Sequence, residues 1–221
     1  FFMIRVATTQ KALREGLEDV APDGYNTERQ LEAMWTRALR MLEDQAACWE
    51  TLRPLLEAER IVLLEADQWT PEIREYLQAH FSREICPVLT PLAFDPGHPF
   101  PLISNLSKNF AVVVRHGGRT MFARVKVPDV LPRFIPVPEA LSPPNTQAFV
   151  LVEDVIRANM HELFPGTQVK ASHLFRIVRD ADLAIEQDEA DDLLESVDRS
   201  LRQLRKGPLA LLQVSTDMPA R

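Results

Sequence analysis

Two blocks of charge in this chain could handle phosphate or metal. From Ile103 to Ile135 stand Lys108, Arg115, Arg119, Arg124, Lys126 and Arg133 against a single acid, Asp129, a local sum of +5. From Asp180 to Asp198 there are nine acids and no base. Read as a strand, Arg119 to Val127 puts Phe122, Arg124 and Lys126 on one face and Met121, Ala123, Val125 and Val127 on the other. Parallel cationic donors on one face suit a chain of phosphates. They suit equally an acidic helix lying across the sheet, and the residues leave both readings open. The acidic block reads as a solvated helix face, because carboxylates that chelate magnesium must converge and one helix face rarely makes them do so.

No residue set here reads as catalytic. His80, His98, His116, His161 and His173 are scattered. None has a serine or cysteine partner at nucleophile spacing or a second histidine at zinc spacing. There is no glycine-rich GxxxxGK loop. Cys48 and Cys86 stand far apart without ligand spacing, as reduced thiols do. No nucleophile and no metal site is assigned.

The elements that must position these groups follow from periodicity. Thr27 and Gln30 make a capping box. After it Leu31, Trp35, Ala38, Leu42, Gln45, Trp49 and Leu52 repeat at four and three, the seam of a long helix packed within a helical domain. Ile61 to Leu64 is an apolar run beyond its end. Thr70-Pro71 opens a second helix with Ile73, Leu77, Phe81 and Ile85 as its buried face. From Cys86 to Asn109 five prolines (Pro87, Pro91, Pro96, Pro99, Pro101) exclude helix interior and central strand. Val88, Leu89, Leu92, Phe94, Phe100 and Leu102 make the run too apolar for a solvated linker, so it reads as a joint between two bodies.

Beyond the joint the period changes. Asn109–Arg115 and Arg119–Val127 flank His116-Gly117-Gly118 as a β-hairpin. Short strands follow at 133–137 and 148–152, then a helix from about Glu153 to Leu163 stopped by Phe164-Pro165-Gly166. β-type segments are expected near 167–171 and 173–179. A last helix, capped by Asp188, ends at Lys206-Gly207 with glycine at C′, and Leu209–Val214 closes as a strand. The expected class is α+β: a small helical N-terminal domain (1–86), the proline-rich joint (87–108), and a head domain (109–221) of mixed, largely antiparallel sheet with two helices.

The phrase PVLTPLAFDPGHPFPLISNLSKN, then FARVKVPDVLPRFIPVP, VLVEDVIRANMHELFPG and FRIVRDADL, resembles bacterial polyphosphate kinase in wording and order. The resemblance runs from the joint nearly to the C-terminus, and the helical stretch before it fits the same family. It implies that a front segment precedes Phe1, bringing an asparagine the family uses near the nucleotide. The phosphorylated histidine and its catalytic partners would lie beyond Arg221. This chain alone would then be inactive. The implied parent uses ATP and magnesium, elongates polyphosphate, forms homo-oligomers, and works in the cytoplasm, with membrane association open. Arg124, Lys126, Arg133 and Arg176 become candidate polyanion contacts.

In an extended FRIVRDADL segment Arg176 and Arg179 point to opposite faces, so Arg179 is assigned to structure, paired with Asp182. Departures from the family pattern are Val178 for threonine, Ala210-Leu211-Leu212-Gln213-Val214 for a strand bearing arginine and glutamate, and Lys108 for an apolar residue. They keep a second reading open, a non-catalytic assembly or polyanion-binding module from a degenerate paralogue. A net charge of −7 makes either polyanion role depend on local clustering. At 46% hydrophobic over 221 residues, the chain can bury a core, and no apolar run reaches membrane-span length.

Overall fold

The computed structural model describes residues 1–17, 24–94, 102–181 and 207–219. They form two compact units, each drawn from separated parts of the chain. The first is Phe1–Ala47, Pro101–Leu106 and Arg176–Gln213; the second is Cys48–Phe100, Ser107–Phe175 and Val214–Arg221.

In the first unit a π-helical turn, Phe2–Val6, leads into α1 (Ala7–Arg14) and then α2 (Thr27–Ala58), whose residues from Cys48 onward belong to the second unit. The cap of α2 is one residue earlier than expected. Asn26 Oδ1 accepts from the Arg29 amide at 3.0 Å, while Thr27 Oγ1 donates to the Leu17 carbonyl and Gln30 Nε2 to the Tyr25 carbonyl. Asparagine caps as well as threonine, and here it takes the first free amide in reach. The expected seam is packed only in its first half. Ala38 is buried and the Trp35 ring lies tilted against Phe2, with centroids 5.7 Å apart, whereas Leu42, Trp49 and Leu52 are exposed.

The second unit holds the main core. Arg60, at φ +64, ends α2 in the left-handed position where glycine is usual. The apolar run beyond it is β1 (Ile61–Leu63). It pairs in parallel with β6 (Gln147–Leu151), which pairs antiparallel with β5 (Phe134–Pro136). Helix α3 (Pro71–His80) starts as expected, with Thr70 Oγ1 accepting from the Ile73 amide at 3.3 Å. It continues through a π turn, Phe81–Ile85, and Ile73, Leu77, Phe81 and Ile85 are all buried.

Of the joint, Pro87 sits in a 3-10 turn and Pro91 opens β2 (Pro91–Ala93). That strand lies at a sheet edge, where a missing N–H is tolerated. Pro96, Pro99, Phe100 and Pro101 lie outside the described residues.

The hairpin is β3 (Lys108–His116) and β4 (Arg119–Lys126), turned by Gly117 and Gly118 at φ +53 and +81. Both positive angles match a type I′ turn. Helix α4 (Val152–Ala158) passes into a 3-10 turn, Met160–Leu163. One uninterrupted strand, β7 (Gln168–Arg179), replaces the two expected segments, since Ala171-Ser172 contains no breaker. With β8 (Leu209–Val214) the second sheet runs β2-β4-β3-β7-β8. Phe110, Val112 and Val125 from this sheet, Ala148 and Val150 from the other, the α3 face, and Val155 and Ile156 of α4 form one core.

The helix expected from Asp188 lies outside the described residues. Gly207 is not in left-handed backbone. A Cβ there would meet the Asp180 carbonyl oxygen at 2.3 Å, so close approach, not a C′ turn, requires glycine.

Candidate functional site

The cations that sequence singled out are set by three elements. Strand alternation puts Arg124 and Lys126 on the β4 face opposite the core. Arg124 stands across from Ala111 on β3 and Leu92 on β2, and Lys126 across from Asn109. Arg124 is only 8% exposed, and burial lowers its pKa. Lys126 is half-buried and more open to a ligand.

Arg133, in the approach to β5, is mostly exposed. Its Nε lies 3.5 Å from Glu153 Oε1, the oxygen that also accepts from Lys108 Nζ. Glu153 is 4% exposed, and its Oε2 has no hydrogen-bond partner. The structure therefore joins Lys108 and Arg133 through one buried carboxylate. Sequence reading missed this triad. The available signal was an acid in the first turn of a helix, which the helix dipole alone explains.

Arg176 is exposed on the part of β7 that belongs to the first unit. Arg179, three residues on, is a hub of that unit. Its Nε donates to the Ile103 carbonyl at 3.1 Å and its Nη1 to the Gly207 carbonyl at 2.7 Å, while Asn105 Oδ1 accepts from its amide at 2.8 Å. Its expected partner Asp182 lies outside the described residues.

Three of the histidines meet a partner on this chain. His80 faces Glu84 at 3.3 Å, His116 Nδ1 lies 3.0 Å from the Gly166 carbonyl, and His173 lies 3.3 Å from Asp217, which Arg157 also approaches at 3.5 Å. His98 is outside the described residues. Glu153 already meets two cations, and no three metal-ligating side chains converge among the described residues.

Next to Glu153 on α4, Asp154 has its pKa raised, first by burial and then by the charges of Glu153 and Glu65, against the lowering effect of Arg157. The folded state therefore holds the proton more tightly than the unfolded state. This contribution is most favourable below the unfolded value of about 3.9 and is lost as pH rises through the folded value. Asp154→Asn should raise the melting temperature at pH 7 and give no gain near pH 3. A gain of about 1 kcal/mol would appear as ~2–4 °C. Thermal melts at both pH values check it.

Two family models match the chain, leaving out only residues 65–71. The polyphosphate kinase N-terminal domain covers residues 1–64 and the polyphosphate kinase middle domain covers residues 72–221. The chain carries an N-terminal and a middle domain of this type, and it belongs to the polyphosphate kinase family.

The polyphosphate kinase of Thermosynechococcus vestitus is 41% identical over 224 residues, covering 99% of this chain and 31% of the relative. Polyphosphate kinase 1 of Chlorobaculum tepidum is 41% identical over 226 residues, covering 99% and 32%. The chain thus spans about a third of these curated relatives. The crystal structure of Porphyromonas gingivalis polyphosphate kinase superposes with a TM-score of 0.68 at 26% identity, over 91% of this chain and 31% of that one. The α+β class, a helical region followed by mixed sheets with helices, agrees with that neighbour. Among the described residues, no helix is long and apolar enough to cross a membrane.

Proposed function

We propose that this chain is the N-terminal and head portion of a cytoplasmic polyphosphate kinase that transfers the terminal phosphate of ATP to polyphosphate. The supporting observation is family membership along both matched domains. Phosphoryl transfer through a phosphohistidine, with magnesium, is assigned to residues outside this chain. This portion shapes the nucleotide and polyphosphate site and the subunit interface. The exposed apolar residues Leu42 and Leu52 of α2 favour a role in subunit contact.

Lys126, Arg133 and Arg176 are the proposed polyanion contacts. Arg124, the fourth candidate, is the least accessible of them at 8% exposure. The alternative is a non-catalytic assembly or polyanion-binding module; Lys108, paired with Glu153, is not among the proposed contacts.

One set of measurements tests this. With radiolabelled ATP and magnesium the chain should remain unlabelled, and acid-labile labelling of a histidine would overturn the assignment. Lys126→Ala, Arg133→Ala and Arg176→Ala should each weaken polyphosphate binding roughly two- to fivefold, with a shallower salt dependence. Arg179→Ala should lower the melting temperature by exposing two carbonyls, and leave affinity unchanged. If Arg179→Ala costs affinity and not stability, the arginine roles are reversed.

A further inference from the structure

Within the second unit the end of α2 and the outer face of the smaller sheet enclose a pocket of about 320 Å³. Trp49 and Leu56 come from α2, Ile61 and Leu63 from β1, Phe134 from β5 and Phe149 from β6. The register sets Leu63 across from Phe149, so the sheet floor is apolar and partly aromatic. Trp49 and Phe134 remain 40% and 52% exposed, which leaves ring surface open to a ligand. Such a size is at the lower end of small-molecule sites.

The charge around the pocket selects among ligands. The Arg53 and Glu57 side chains complete its wall. Arg53 is already paired with carboxylates, its Nη1 donating to Glu65 Oε1 at 2.6 Å and its Nε lying 3.7 Å from Glu57 Oε1. The lining pair is neutral by itself, and Glu65, held on Arg53 outside the lining, brings the local sum to −1. Aromatic faces carry negative potential, and three aromatic residues beside a carboxylate excess attract a cation that has an apolar shell. A small ammonium would lose most of its hydration against an apolar lining whose one carboxylate, Glu57, already faces Arg53, whereas methylated nitrogen has little to lose.

We propose that this pocket is a binding site for a compact quaternary ammonium group. The inference is independent of the phosphate chemistry proposed above.

The probe is choline, compared with its uncharged isostere 3,3-dimethylbutan-1-ol. Each is titrated into the 221-residue chain while the Trp49 indole resonance is followed by NMR. Choline should give a saturable shift and bind at least about threefold tighter than the alcohol, the range of a partly desolvated cation–π contact. Phe134→Leu keeps apolar bulk at an exposed position and should abolish that preference, with an unchanged melt. Glu57→Gln should weaken choline and leave the alcohol unaffected. Equal binding of the two probes would reduce the site to an apolar slot and overturn the proposal. So would the absence of a saturable shift with choline, or a preference that survives in Phe134→Leu.

Discussion

Phe110→Ala is expected to lower the stability of the chain by about 3–5 kcal/mol, the usual cost of emptying a buried phenylalanine site. Phe110 is fully buried on the core face of β3, directly across from Val125 on β4. The Arg157 guanidinium also sits 5.8 Å from its ring centroid, so truncation removes that contact too. The neighbouring β-strands are tied by the hairpin ladder and cannot collapse far into the space. Urea denaturation should show the loss as a shift in midpoint without a change in slope. Phe122→Ala, on the exposed face of the adjacent strand, should change stability by less than about 1 kcal/mol.

Lys108→Met should be nearly as damaging, for an electrostatic reason. It leaves the Glu153 carboxylate buried with one oxygen lacking any hydrogen bond and the other served only by Arg133 at 3.5 Å. Breaking a buried pair by removing one partner typically costs about 3–5 kcal/mol. Replacing both, as Lys108→Met with Glu153→Leu, removes the stranded charge and should recover most of that loss. A double-mutant cycle in urea measures the coupling. If the double variant is no better than the single, the Lys108–Glu153 contact is not what stabilises this end of β3.

Much of the local structure was legible in the sequence. The α3 face (Ile73, Leu77, Phe81, Ile85) follows from a 3.6-residue period, and its start from a threonine followed by proline. The β3–β4 hairpin follows from two glycines, the residues best able to adopt two consecutive positive φ angles. Such signals act within a few residues. The cap of α2 marks their resolution, since Asn26 and Thr27 are both competent and only the realised hydrogen bond separates them.

The candidate site was legible in residue type and only partly in arrangement. Strand alternation placed Arg124 and Lys126 on one face, and the backbone register agrees. Alternation carries no information on what lies above that face, so it could not distinguish a buried Arg124 from a half-buried Lys126. Nor could it find Glu153, which lies 45 residues from Lys108 in sequence.

By itself, the sequence determined the family, the α+β class, and the location of helix and hairpin, because these depend on short-range periodicity, turn chemistry and word order. Tertiary structure decided which partner each charge meets. Lys108 and Arg133 converge on Glu153 because β3, the approach to β5, and α4 are folded together. Arg179 meets the carbonyls of Ile103 and Gly207, 76 and 28 residues away. Gly207 has to be glycine because Asp180 backbone passes within 2.3 Å of where a Cβ would sit. Contacts of this kind depend on distances set by chain reversal, and no local pattern of residues encodes them.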